Sequence, residues 1–154
     1  MAGIFTLRVG TLVFGNGSLA TAGEHVRSLT RNPNPTALVV CGKTIAKSDI
    51  LKQLLAVLVE ANVGAEVYSD VEPEPSFERA DVLREFIEKG SFDAVVGIGG
   101  GSSMDTAKAA AAAAGHGSVK DFMGVGKIPS RGCPMVMIPT TAGSGSEVTG
   151  SALF

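Results

Sequence analysis

Two short polar segments of this 154-residue chain carry residue types that can hold an anion. The first is Gly97-Ile98-Gly99-Gly100-Gly101-Ser102-Ser103-Met104-Asp105-Thr106-Ala107-Lys108, in which three consecutive glycines are followed by two serines. Consecutive glycines leave backbone amides open to the close approach of a phosphate. A helix beginning there adds its own uncommitted amides and the positive end of its dipole. Ser102 and Ser103 can cap that helix or donate hydroxyls to phosphate oxygens. Asp105 suits the dipole of a first turn, although it would repel an anion placed too close. The second segment is Pro139-Thr140-Thr141-Ala142-Gly143-Ser144-Gly145-Ser146-Glu147-Val148-Thr149, with five hydroxyl residues and two glycines. Taken singly, each has a plainer reading. The first is a tight turn with a capping serine; the second is a solvated turn with Ser144 or Ser146 as a cap and Glu147 opening a helix.

What must position these segments is a regular alternation of apolar runs and amphipathic stripes. Phe5–Phe14 is rich in β-branched and aromatic residues and reads as a strand or hairpin. Gly15-Asn16-Gly17-Ser18 is a turn, with Ser18 placed to cap a helix through Glu24, Val26 and Leu29 that Asn32-Pro33-Asn34-Pro35 stops. Thr36–Cys41 is a short continuous apolar run, the mark of a strand covered on both faces. Ser48-Asp49 opens a helix with Ile50, Leu51, Leu54, Leu55, Leu58 and Ala61 on one face, ended by Asn62 and Gly64. Ala65–Ser69 is a second strand. Pro73-Glu74-Pro75-Ser76 is a loop with a cap, and Phe77, Ala80, Leu83, Phe86 and Ile87 stripe the next helix up to Gly90. Ala94–Ile98 is a third strand, followed by the glycine turn and an alanine-rich helix from Ser103 to Ala114 that Gly115-His116-Gly117 closes. Pro134–Ile138 is a fourth strand broken by Pro139, and Thr149–Phe154 reads as the start of another. Strand–helix alternation with buried apolar strands predicts an α/β fold, a parallel sheet with helices on both faces. In such sheets ligands bind beyond the carboxyl ends of the strands. Both polar segments fall at strand carboxyl ends.

Composition narrows the classes. Hydrophobic residues make up 45% and charged residues 18% of the chain, and mean hydropathy is +0.29, which excludes the signature of disorder. The net charge is −2 with no basic block, against nucleic-acid binding. No apolar run is long enough to span a bilayer and no secretory signal opens the chain, so a cytoplasmic protein without a membrane partner is expected. Cys41 and Cys133, far apart, make neither a disulfide scaffold nor a cysteine zinc site and read as buried thiols. His25 and His116 read as surface or structural histidines. The glycine turn is not the usual dinucleotide fingerprint, since it follows the third strand of the alternating region and lacks the acid about twenty residues on. Nor is it a Walker loop, because no Gly-Lys-Ser/Thr follows.

GIGGGSSMDTAK with PTTAGSGSEVT downstream resembles the iron-containing (group III) alcohol dehydrogenases. Phe14–Leu19 (FGNGSL) and the Pro-rich loop at Val71–Ser76 are similar to that family as well. The resemblance covers essentially all of this chain but only the front part of a typical member. It implies a Rossmann-like N-terminal domain of the dehydroquinate-synthase-like fold, with residues 1–154 as an NAD(P)-binding domain. The family's all-helical domain, which holds a divalent metal (iron or zinc) through an Asp and three His, has no counterpart in these segments. By resemblance, Gly100, Gly101 and Ser102 hold the cofactor diphosphate, and Asp105 is the acid that follows them. Thr140, Thr141, Ser144 and Thr149 belong to the loop along the adenine, diphosphate and ribose. No catalytic residue and no metal ligand is carried over.

One departure from the family is informative. Many members place an Asp, which accepts from the adenosine ribose, just after the strand equivalent to Thr36–Cys41. Here Gly42 and Lys43 stand there. An acid would repel a 2′-phosphate, whereas glycine beside an ammonium admits and attracts one, so NADP(H) is expected to bind at least as well as NAD(H). The expected activity is that of the cofactor half of a metal-dependent NAD(P) alcohol dehydrogenase acting on a small alcohol or aldehyde. The isolated chain is expected to be inactive, and the full form to be a homo-oligomer. A non-enzymatic nucleotide-binding module or truncated product is the alternative. Glycerol dehydrogenase and dehydroquinate synthase share the fold, but PTTAGSGSEVT favours the iron-type alcohol dehydrogenases.

Overall fold

The structure is a computed structural model that describes residues 10–124, 126–150 and 152–153. Four strands, β1 (Thr36–Gly42), β2 (Gly64–Val71), β3 (Ala94–Gly99) and β4 (Met135–Pro139), form one parallel sheet in the order β2-β1-β3-β4. The two continuous apolar runs, β1 and β3, are the central strands. Their side chains alternate between two cores. Ala37, Val39 and Cys41 of β1 and Val96 and Ile98 of β3 pack against Val26 of α1 (Ala22–Ser28) and, beyond the short α2 (Lys43–Ala46), against Leu51, Leu54 and Leu58 of α3 (Asp49–Glu60). Leu38, Val40 and Val95 point the other way, onto Leu83 and Ile87 of α4 (Phe77–Gly90) and Ala107, Ala110 and Ala111 of α5 (Gly101–Ala113). A sheet so covered on both faces is why these strands need no polar alternation. The edge strand β2 is exposed along half its length and carries Glu66 and Asp70.

The chain leaves β1 for β2 on one side and returns through α4 to β3 on the other side of β1. The carboxyl ends of β1 and β3 therefore flank the point where connections diverge, which is where open α/β sheets form a crevice. Helix α5 is buried nearly all round. Its alanines let it approach the sheet on one face and pack Ala113 against Ala80 and Val119 on the other.

Several local expectations are corrected. Residues 5–9 of the proposed first strand lie outside the described residues, and residues 10–14 carry no strand. Ser18 is not a side-chain cap: it opens a 3-10 turn (Ser18–Thr21) behind Gly17, and its carbonyl accepts from the Thr21 hydroxyl at 2.9 Å. Ser48 occupies the N-cap of α3 but donates its hydroxyl to the Ile45 carbonyl at 2.7 Å, whereas Ser76 does cap α4 by accepting from the Arg79 amide. Helix α5 begins at Gly101, ahead of Ser103, and neither Ser102 nor Ser103 caps it. Pro139 is the last residue of β4 rather than its breaker, since on the outer strand its missing N–H costs the sheet nothing. The last described residues form no strand; a 3-10 turn, Ser146–Val148, stands before them.

Carboxylates hold the loops that enter and leave the sheet. Asp93 accepts from the Thr36 amide at 2.9 Å and from Asn32 and Thr30, tying the entry of β1 to that of β3. The Thr36 amide holds its carboxyl below the usual aspartate range; some burial opposes this, and Asn32 and Thr30 add to it. On α4, burial opposes ionisation of Asp81, but the Ser118 hydroxyl, the Val119 amide and Arg84 outweigh it and lower its pKa. Folded-state values below the unfolded ones mean that this stability is complete above the ordinary aspartate value of 3.8. It is lost as pH falls through the lower folded values. Asp93→Ala is expected to cost about 1–3 kcal/mol at neutral pH by leaving the Thr36 amide without its acceptor. The loss should shrink in acid, as read from denaturant midpoints across the acid range.

Candidate functional site

The glycine segment runs from the end of β3 straight into α5. Gly99 has φ +147°, and a Cβ there would lie 2.8 Å from the Ser103 Oγ, so both backbone and space call for glycine. Gly100 is the N-cap of α5 in extended conformation, with no side-chain cap. The first-turn amides of an α-helix have no intrahelical carbonyl to bond, so those of α5 are offered outward at the carboxyl edge of the sheet.

The hydroxyl-rich segment arrives beside them because β3 and β4 end in register, Gly99 opposite Pro139. The Thr140 amide donates to the Gly99 carbonyl at 2.8 Å, extending the ladder by one bond. The two loops then touch. A Cβ at Gly100 would stand 3.3 Å from the Thr141 Oγ1, and one at Gly101 would stand 3.3 Å from the Ser144 Cβ. Thr141 and Ser144 are themselves exposed. The result is an open cradle with backbone amides on one wall and hydroxyls on the other, of the kind that takes a phosphate or diphosphate.

Next to it, between the ends of β1 and β2 and the start of α5, lies a cavity of about 340 Å³ lined by Gly42, Lys43, Val71, Pro73, Ser102 and Ser103 among others. A Cβ at Gly42 would meet only the Val71 carbonyl at 3.6 Å and the Ser103 Oγ at 3.9 Å, so glycine leaves room here rather than relieving a clash. Lys43 stands at the rim, its ammonium 3.6 Å from Asp70, with the two side chains 79% and 53% exposed. Arg79 also meets Asp70 at 3.6 Å and pairs with Glu72. The cation foreseen at Lys43 is therefore one of two at this rim, each facing carboxylates that the sequence did not place there.

Of the residues singled out beforehand, Gly100, Gly101, Thr141 and Ser144 come together in the cradle, Thr140 is tied by its amide to the Gly99 carbonyl beside it, and Gly42 and Lys43 border the adjoining cavity. Ser102 follows Gly101 and lines the adjoining cavity, and its hydroxyl donates to the Pro73 carbonyl. Asp105 and Thr149 come together elsewhere. Asp105 is buried, 3.0 Å from the Lys108 ammonium, and accepts from the Ser146 hydroxyl at 2.6 Å. Lys108, also buried, donates to the Ser146 carbonyl at 2.8 Å and to the Thr149 Oγ1 at 3.3 Å. Sequence reasoning passed over Lys108 and took Ser146 only as a candidate cap. The available signal was a lone lysine within an alanine run, three residues from the only acid of that helix.

Neither cysteine supplies a thiolate to the site. Burial raises the pKa of Cys41, and burial with Asp93 nearby pushes Cys133 up to about 11, so both stay thiols. His116 lies at the far end of α5, bonded to Ser130 at 3.2 Å and edge-on to Phe122. Among the described residues, no group of three or more His, Cys, Asp or Glu could hold a metal ion, and no helix is long and apolar enough to cross a membrane.

Comparison with known proteins supplies the family. The family described as iron-containing alcohol dehydrogenase matches residues 10–154. The chain is 40% identical over 116 residues to long-chain-alcohol dehydrogenase 1 of Geobacillus thermodenitrificans, covering 73% of this chain and 29% of that protein. It is 38% identical over 149 residues to choline dehydrogenase of Bacillus subtilis, covering 94% and 36%. Among solved structures, the archaeal Red Sea brine pool alcohol dehydrogenase ADH/D1 bound to NZQ superposes with a TM-score of 0.85 at 32% identity, over 97% of this chain and 39% of that one. Sulfoacetaldehyde reductase from Bifidobacterium kashiwanohense in complex with NAD+ gives 0.73 at 32%, over 88% and 35%. The chain spans about a third of the length of the relatives it matches. A glycine turn feeding a helix, a hydroxyl loop laid beside it in register and a match along the length from Gly10 onward agree: the chain belongs to the iron-containing alcohol dehydrogenases.

Proposed function

We propose that residues 1–154 are the cofactor-binding domain of an NAD(P)-dependent alcohol dehydrogenase that acts on a small alcohol or aldehyde. The observation that carries this reading is the cradle: the amides at the start of α5 face Thr141 and Ser144 across a gap that a Cβ at Gly100 or Gly101 would narrow. In it, Gly100, Gly101 and the backbone of Ser102 bind the diphosphate, and the hydroxyls of Thr140, Thr141 and Ser144 donate to its oxygens. The adjoining cavity at Gly42 takes the adenosine end. Bound nicotinamide supplies the hydride chemistry; these residues bind and orient it. The described residues do not form a metal site, so no step through a metal is assigned to them. Metal-dependent turnover belongs to the helical part of the whole enzyme, and residues 1–154 alone are expected to bind nucleotide without oxidising alcohol. Leu12 at 64% and Phe14 at 96% exposure favour self-association of the whole enzyme through this segment.

The space at Gly42 and the cations at the rim support NADP(H) binding at least as tight as NAD(H). Ion pairs as exposed as Lys43–Asp70 are worth about 0–1 kcal/mol, so a 2′-phosphate competes with Asp70 for Lys43 at little cost. Lys43→Ala is expected to weaken NADPH selectively, by about tenfold or ~1.4 kcal/mol, and Gly42→Asp to restore a preference for NADH. Fluorescence titration with both cofactors checks this, and a clear preference of the unaltered protein for NADH contradicts it. Gly100→Val, which drives a branched side chain toward the Thr141 Oγ1, should weaken both cofactors together. Equal binding by that variant would remove the diphosphate from the cradle.

A further inference from the structure

The 140–149 loop has little to hold it in place except its two ends. At the near end the Thr140 amide bonds to the Gly99 carbonyl at 2.8 Å. At the far end the 3-10 turn Ser146–Val148 is gripped from beneath by Asp105 and Lys108 of α5, through the Ser146 hydroxyl, the Ser146 carbonyl and the Thr149 hydroxyl. Between these anchors, residues 141–144 are exposed. Gly143 and Gly145 have φ of +108° and +64°, and a Cβ at either would meet nothing within 4 Å. A stretch with so little packing takes its orientation from its anchors.

The far anchor is made of charges. Asp105 and Lys108 are each less than a tenth exposed, within a helix whose other residues are small or apolar for most of its length. A buried ion pair is often replaceable by apolar groups without loss of stability, because desolvation offsets the attraction. What an apolar pair could not do is reach out and bind the Ser146 carbonyl and hydroxyl. We infer that Lys108 and Asp105 are positioning residues for the cofactor diphosphate: they touch no ligand, but hold the turn at Ser146 so that Thr141 and Ser144 stand over Gly100 and Gly101. The inference rests on the reading of the cradle as a dinucleotide site.

The test compares three variants of the full natural gene product by NADPH titration, thermal midpoint and amide exchange over residues 140–149. Lys108→Met strands a buried carboxylate and should lose both stability and affinity. The double variant Asp105→Asn with Lys108→Met leaves no uncompensated charge. It should keep a thermal midpoint near that of the unaltered protein, exchange faster in the loop, and bind NADPH about tenfold more weakly, through lost preorganisation. Ser146→Ala removes only the hydroxyl bond to Asp105, so it tests the anchor even if the double variant fails to fold. It should weaken NADPH by a few-fold and lower the midpoint less than Lys108→Met does, because Asp105 keeps its pairing with Lys108. If the double variant, or Ser146→Ala in its place, binds NADPH as tightly as the unaltered protein, the inference is overturned, even if the loop exchanges faster. If the unaltered protein binds neither NADPH nor NADH, the dinucleotide reading itself fails and the inference goes with it.

Discussion

The parallel register that sets Gly99 opposite Pro139 ends β3 and β4 at one level, and the rest of the candidate site is built on that coincidence. From that level the chain turns twice, once into α5 through three glycines and once into a loop of hydroxyls. A single bond, from the Thr140 amide to the Gly99 carbonyl, carries the ladder past both strand ends. A slip of one residue would turn every β4 side chain to the other face. It would also move Thr141 and Ser144 away from Gly100 and Gly101. The register is strongly specified because β4 feeds both cores, Val136 and Ile138 on one side and Met135 and Met137 on the other.

Rigidity and exposure are divided along the strand axis. The middle of the sheet is dry on both faces, with β3 and residues 37–41 of β1 buried and α5 packed close on its alanines. The carboxyl edge, by contrast, carries glycines, hydroxyls and unbonded helix-start amides. Such groups can be left to a ligand only because the frame beneath them does not depend on them. The buried Asp105–Lys108 pair joins the two regimes, lying within the helix yet binding the loop. The rim of the neighbouring cavity works differently. There Lys43, Arg79, Asp70 and Glu72 form exposed pairs whose balance tunes which phosphate is welcome rather than whether the site exists.

How much of this was legible follows from which forces have a local signature. The central strands were readable as continuous apolar runs, and α3 and α4 as stripes at helical spacing. Each polar loop taken alone also reads as a plain turn; their placement at strand carboxyl ends and the wording and order of both together carry the family resemblance. Side-chain partners were not. The residue type of Ser102 suits a helix cap or a donor to phosphate, yet its hydroxyl goes to Pro73, 29 positions away in sequence. Asp105 was read as part of the cofactor set, yet it faces Ser146 across 41 positions. Ser18 and Ser48 carry the right type for caps, yet Ser18 opens a 3-10 turn and Ser48 donates its hydroxyl back to the Ile45 carbonyl, which local sequence does not distinguish from capping. Pro139 reads as a breaker because proline removes a donor, and only the order of strands shows that no donor was needed there.

The central claim is that the amides at the start of α5 and the hydroxyl loop beside them receive one ligand between them. Mapping backbone amide shifts of the protein on adding NADPH tests that most directly. The largest changes are expected at Gly99–Ser103 and Thr140–Gly145 together, with smaller ones at Gly42–Thr44. Changes confined to one of the two loops, or centred on the opposite end of the sheet around Thr36 and Asp93, would contradict the account.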